Sequence, residues 1–228
     1  MRSSFISKIP HRTFLVVFVD LDGTIVVPQI NNTYQFIKLF AKVKRDTLRY
    51  LLYSFVLMAM PFISTIYWLS RKVLGLSKNI VSLDALMITL LFAGVNVRSL
   101  REFSIKWVHS LVRLRLINKK VLKLIKYFKR NKAKLILLTA CTELPACVIA
   151  KYLGFDICLA RRFLIKWDII LGVRDADDIP LLKLKKIARL RNLLPIKEVY
   201  TIYVVDKSSA SIEHEILRAE LFDHVIIV

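Results

Sequence analysis

Short apolar runs that end in polar or acidic residues recur along the chain. Phe14 to Val19 is the first, Leu135 to Leu138, Tyr200 to Val205 and His224 to Val228 follow, and Asp156 to Leu159 is a weaker example. Such runs, rich in β-branched and aromatic residues and lacking polar alternation, predict strands covered on both faces, as in a parallel sheet. Between them the apolar positions fall at helical spacing. In Lys119 to Arg130, Val121, Leu122, Leu124, Ile125 and Phe128 share one face while basic residues fill the rest. Thr142 to Leu153 stops at Gly154, a residue suited to the left-handed turn that ends a helix. Leu181 to Leu193 and Ser209 to Leu221 continue the alternation. The order predicts an α/β fold with a doubly wound, mostly parallel sheet. Arg161 to Gly172 is too irregular for a helix and predicts a small projecting β-hairpin, with Trp167 as a packing residue.

Residues 31–118 interrupt this alternation with long apolar helical stretches, which divides the chain into a core, 1–30 and 119–228, and an inserted all-helical cap. Tyr50 to Leu69 is a run of 20 residues without a charge. A helix of that length covers about 30 Å, the hydrocarbon thickness of a bilayer, and Pro61 is expected to kink it. Ile80 to Val97 is nearly as apolar but contains Asp84, and the short link between the two carries Arg71, Lys72 and Lys78. Together they predict a helical hairpin at a membrane. A cap whose oily faces pack on each other and on the core is the competing account. The insertion holds 13 Lys plus Arg against Asp46, Asp84 and Glu102. Five of these cations precede the first stretch and five follow the second. By the positive-inside tendency the hairpin ends and the attached core would face the cytoplasm.

Charge widens the list of partners before it narrows it. The chain carries 37 Lys plus Arg and 17 Asp plus Glu, a net +20, which favours phosphate esters, nucleic acid or an anionic membrane surface. Nucleic acid is disfavoured, because Phe55, Phe62, Tyr67 and Trp68 sit in uncharged stretches instead of alternating with the cations. Cys141, Cys147 and Cys158 show no C-x-x-C pattern and are expected as reduced core thiols. The run Phe14 to Val19 leads directly into acidic residues with no small-residue cleavage site, so it is expected as a strand and not a signal peptide.

The chemistry concentrates in Phe18-Val19-Asp20-Leu21-Asp22-Gly23-Thr24. On an extended strand end, positions two apart point the same way, so Asp20 and Asp22 can converge on one site. One carboxylate can attack phosphorus while the other protonates the leaving oxygen and then activates water. Gly23 allows a sharp turn and a close backbone approach. A calcium loop is the competing account, but no further carboxylates follow at EF-hand spacing.

This D-x-D-G-T string after an apolar strand resembles the first motif of haloacid-dehalogenase-like phosphohydrolases. The resemblance implies a Rossmann-like core, an aspartyl-phosphate intermediate, Mg²⁺ and a phosphorylated substrate. It implies Thr139 as a phosphate-holding hydroxyl, Lys183 as the neutralising cation, with Lys185 and Lys186 as rivals, and Asp206 as a metal ligand alongside Asp20 and the Asp22 carbonyl. The sequence departs from the family at Val205, where many members have Gly, and at Ala210, where many have a second acid; Glu213 is a candidate substitute. The insertion matches the helical cap of phosphoserine-phosphatase-like members. The order and texture of residues 14–228 are also similar to phosphatase domains fused to membrane prenyltransferases. A phosphomonoesterase acting on a lipid or isoprenoid phosphate is the leading expectation, with an anionic membrane surface or membrane protein as partner. A soluble small-metabolite phosphatase and a non-catalytic phosphate-binding module are the alternatives.

Overall fold

A computed structural model describes residues 14–27, 32–74, 82–191, 199–207, 210, 216 and 221–228. The expected helix Ser209 to Leu221, with Glu213, lies largely outside them. Strands β1 (Phe14–Val19), β2 (Lys134–Thr142), β3 (Ile157–Arg161), β6 (Val199–Val205) and β7 (His224–Ile227) form one sheet in the order β3-β2-β1-β6-β7. Every pairing in it is parallel. Its strands are largely apolar because both faces are covered. Val17, Val19, Leu135, Leu137, Ile202 and Val204 pack into one core, and Val16, Phe18, Ile136, Leu138, Tyr203 and Val205 into another.

Helix α5 (Lys119–Arg130) leads into β2, α6 (Glu143–Leu153) joins β2 to β3, and α7 (Ile179–Arg191) precedes β6. Asn118 caps α5 by accepting the Lys120 amide at 3.0 Å, and α6 ends at Gly154 with φ 72°. Ile187 and Leu190 of α7 close the second core, whereas α5 and α6 close the first. The chain lays β2 and β3 on one side of β1 and then β6 and β7 on the other, so the gap between β1 and β6 is the switch point beyond which α/β sheets bind ligands.

The insertion forms α1 (Asn32–Lys44), α2 (Thr47–Leu74), α3 (Leu83–Phe92) and α4 (Val97–Arg113). Phe36 anchors them, with its ring 5.2 Å from Phe103, 5.3 Å from Trp107 and 6.4 Å from Phe92. The hairpin is present as β4 (Phe163–Lys166) and β5 (Ile169–Val173). Its two-residue turn has φ 49° at Trp167 and 59° at Asp168, the twist that suits a tight hairpin. The amides of Gly94 and Val97 donate to the carbonyls of Ile170 and Asp168, which fastens the hairpin to the helical insertion.

Three expectations are corrected. The apolar stretch Ile80 to Val97 is not one span: α3 ends at Phe92, the chain turns through Gly94 at φ 78°, and α4 begins at Val97. Its apolar residues Met87, Ile88, Leu91 and Phe92 are buried in protein. A ten-residue helix is only about 15 Å long, and among the described residues no helix is long and apolar enough to cross a membrane. Trp167 is 85% exposed instead of packed. Cys147 and Cys158 are joined as a disulfide, because the turn at Gly154 sends β3 back beside α6 and brings their Cα atoms to 5.5 Å; only Cys141 is a free thiol.

Candidate active site

Asp20 follows the last residue of β1 and Asp206 the last residue of β6, so adjacent strands deliver two carboxylates to the switch point. Both are buried. The Asp20 amide donates to the Val204 carbonyl at 3.0 Å, which prolongs the ladder and fixes the strand end. Thr24 links the two acids. Its hydroxyl accepts the Asp206 amide at 2.8 Å and lies 3.5 Å from Oδ2 of Asp20 and from Oδ1 of Asp206. Gly23, at φ 78°, turns the chain so that Thr24 can reach back.

Lys183, on α7, is 1% exposed and places Nζ 2.6 Å from Oδ1 of Asp20 and 3.1 Å from the Tyr203 hydroxyl. Its rivals are engaged elsewhere. Lys185 pairs with Asp177 at 2.6 Å and Lys186 with Asp175 at 2.9 Å. The buried cation offsets one of two acidic charges in a space that excludes water, where an unpaired charge is expensive.

Asp22 is partly exposed, beyond Asp20 on the turn. Burial first, and then the charge of Asp22, push the Cys141 thiol up. Thr139 is fully buried and its hydroxyl accepts the Cys141 amide at 3.0 Å. Strand β2 does not stop at Leu138 but runs to Thr142, with a register irregularity across this stretch. Val19 stands opposite Leu137, so Thr139 lies just past that register, level with the turn after β1.

A second wall comes from the insertion and was not foreseen. Arg161, 0% exposed, donates to Oδ2 of Asp84 at 3.1 Å and to the carbonyls of Asp175 and Asp177 at 2.8 and 3.2 Å. The Tyr34 hydroxyl donates to Oδ1 of Asp84 at 3.2 Å, and the Thr33 hydroxyl to Sγ of Cys141 at 3.1 Å. Burial raises Asp84 above the ordinary carboxylate range, against the opposing pull of Arg161 and Tyr34. Thr142 caps the start of α6, and its buried hydroxyl has no hydrogen-bond partner among the described residues. The only sequence signal for this wall was Asp84 itself, an acid inside an apolar stretch.

A hard divalent cation fits the donor set. Asp20 and Asp206 offer carboxylate oxygens within 3.5 Å of one hydroxyl, and two acids so close favour a cation between them. Among the described residues no group of three or more acidic, His or Cys side chains could hold a metal. A cation held here would take two carboxylates from the protein and complete its shell with carbonyls, waters and substrate oxygens, as small hard divalent cations do. Ala210 supplies no further acid.

No family model matches the sequence, and no curated protein matches it. Solved structures do. A protein of unknown function from Bordetella pertussis Tohama I superposes with a TM-score of 0.62 at 13% identity, over 94% of this chain and 98% of the other. A phosphoserine phosphohydrolase-like protein from Francisella tularensis gives 0.58 at 14% identity, over 94% and 87%. A substrate-bound phosphoserine phosphatase complex gives 0.52 at 13%, over 95% and 94%. The chain has the fold of haloacid-dehalogenase-like hydrolases of the phosphoserine-phosphatase type.

Proposed function

We propose that the chain is a Mg²⁺-dependent phosphomonoester hydrolase in which Asp20 attacks phosphorus. The observation that carries this reading is the meeting of Asp20, Asp206 and Lys183 at the β1–β6 switch point, with Lys183 Nζ 2.6 Å from Asp20. Lys183 holds the nucleophile's oxygen and balances charge as an anion arrives. Asp22, beyond it on the same turn, protonates the leaving oxygen and then takes the proton from the water that cleaves the aspartyl phosphate. Thr139 and the amides at the start of α6 receive phosphoryl oxygens. Mg²⁺, when held by Asp20, Asp206 and the Asp22 carbonyl, supplies Lewis-acid charge stabilisation.

In this reading residues 31–118 form a cap over the core, 1–30 and 119–228, and its inner wall at Thr33, Tyr34 and Asp84 excludes water and meets the leaving group. The apolar outer surface of the cap and the +20 charge support an amphiphilic anion, a lipid or isoprenoid phosphate presented at a cytoplasmic membrane face, over a small metabolite.

The absent second acid at Ala210 favours a second reading, a phosphate-binding module without turnover. Release of inorganic phosphate from an aryl phosphate, with Mg²⁺ and with chelator, separates the two. Turnover abolished by chelator is expected. Phosphate binding without turnover would leave only the module.

A further inference from the structure

Helix α2 is apolar on two opposite sides, and among the described residues one is buried and the other exposed. Tyr53 and Val56 are buried against the rest of the insertion. Leu48, Leu51, Phe55, Met58 and Phe62 are each 60–80% exposed. At 100° per residue these five positions fall within an arc of about 80°, centred opposite the buried side, and span about 21 Å along the axis. They expose on the order of 600 Å² of apolar side chain, at the upper end of what a lone soluble chain shows.

The rim of this stripe is cationic. Lys42, Lys44 and Arg45, all exposed, close α1 and lead into α2, and Leu39 and Val43 extend the apolar surface beside them. Asp46, just before α2, is paired with Arg49, which turns to the Leu91 and Ala93 carbonyls; the helix itself contains no acid, and its sequence closes with Arg71 and Lys72. A second copy of the chain is therefore a poor occupant. Pairing two such helices in either direction would bring basic ends together with no acid on either helix and with the adjoining Asp46 already paired within its own chain, on chains of +20 each. A spanning helix is excluded for the stripe, since the opposite side of α2 is committed to protein. An apolar face with a basic border suits an anionic bilayer surface, with the helix lying in the plane of the headgroups.

We propose that the Leu48–Phe62 face of α2 is a peripheral docking surface for anionic membranes, which lays the insertion flat on the lipid. The proposal does not depend on catalysis, so the Asp20→Asn protein is expected to bind vesicles as the wild type does.

The full chain is sedimented with vesicles of phosphatidylcholine alone and with added phosphatidylglycerol. Binding to the anionic vesicles only, weakened by salt, is expected. Phe55→Ser with Phe62→Ser should weaken it by at least about tenfold, from lost apolar burial. Circular dichroism and the unfolding midpoint report whether that variant is folded. Lys42→Glu with Lys44→Glu leaves the stripe intact and should abolish the preference for phosphatidylglycerol. Failure of the wild type to bind, or undiminished binding by either folded variant, overturns the proposal. A lipid-free dimer that the Phe55/Phe62 variant dissolves would assign the face to a second copy and overturn it equally.

Discussion

Removing the charge of Lys183 should cost more stability than removing the charge of its partner. Nζ lies 2.6 Å from Oδ1 of Asp20, and at an effective dielectric of about 20 that contact is worth about 6 kcal/mol before desolvation is charged against it. Lys183→Met takes the buried cation away from Asp20, and breaking a buried pair typically costs about 3–5 kcal/mol. Asp20→Asn takes the carboxylate charge from the lysine but also relieves a repulsion. Asp20 and Asp206 each place an oxygen 3.5 Å from the Thr24 hydroxyl, so those oxygens are at most about 7 Å apart and repel by about 2 kcal/mol at the same dielectric. The expected cost of Asp20→Asn is therefore lower, about 1–3 kcal/mol. Urea unfolding of the two single variants and the double variant in chelator gives the cycle, provided the m value is unchanged. A coupling of about 2–3 kcal/mol is expected. Additive effects, or a Lys183→Met protein within about 1 kcal/mol of wild type, would refute the buried pair.

Two further outcomes follow from ionic and covalent links away from the centre. Burial opposes ionisation of Asp175, but hydrogen bonds from Arg162 and Lys186 outweigh it and hold the carboxyl well below the ordinary range. Its contribution is thus fully present above the usual carboxylate pKa of about 4 and is lost as pH falls below it. The difference in unfolding midpoint between wild type and Asp175→Asn should be constant from neutral pH down to about pH 5 and shrink progressively as pH falls below about 4; a difference unchanged down to the lowest pH at which both proteins stay folded would contradict the pairing. The Cys147–Cys158 bridge closes a sequence separation of 11, worth about 2–3 kcal/mol by the chain-entropy account. Reductant should lower the unfolding midpoint, and thiol titration of the denatured, unreduced chain should find Cys141 alone.

The sheet was legible because a parallel strand covered on both faces must be apolar at consecutive positions, as Phe14–Val19 is. The centre was legible where one short string concentrates it. Asp20, Asp22, Gly23 and Thr24 are contiguous, and Asp206 follows the next apolar run but one from the end. Spacing and a place near the helix start favoured Lys183 over Lys185 and Lys186; Lys186 is buried too, and it is the 2.6 Å contact with Asp20 that sets Lys183 apart. Other features depend on distant pairing. Arg161 meets Asp84 across 77 positions, and nothing local marks either as half of a clamp. The stretch Ile80 to Val97 imitated a membrane span because a helix sunk in protein and one sunk in lipid need the same apolar residues; the break at Gly94 separates them. The disulfide was missed because its two cysteines are separated by a helix turn and a strand start, with no short motif between them.

Trapping the phosphoryl group tests the central claim most directly. With an aryl phosphate the leaving group needs little protonation, so Asp22→Asn should slow water attack more than phosphoryl transfer and let the intermediate accumulate. Acid quench followed by peptide mass analysis should then place one phosphoryl group on Asp20. Turnover by the wild type with no such adduct, an adduct on another residue, or an Asp20→Asn protein that hydrolyses the ester at the wild-type rate would contradict the assignment of Asp20 as nucleophile.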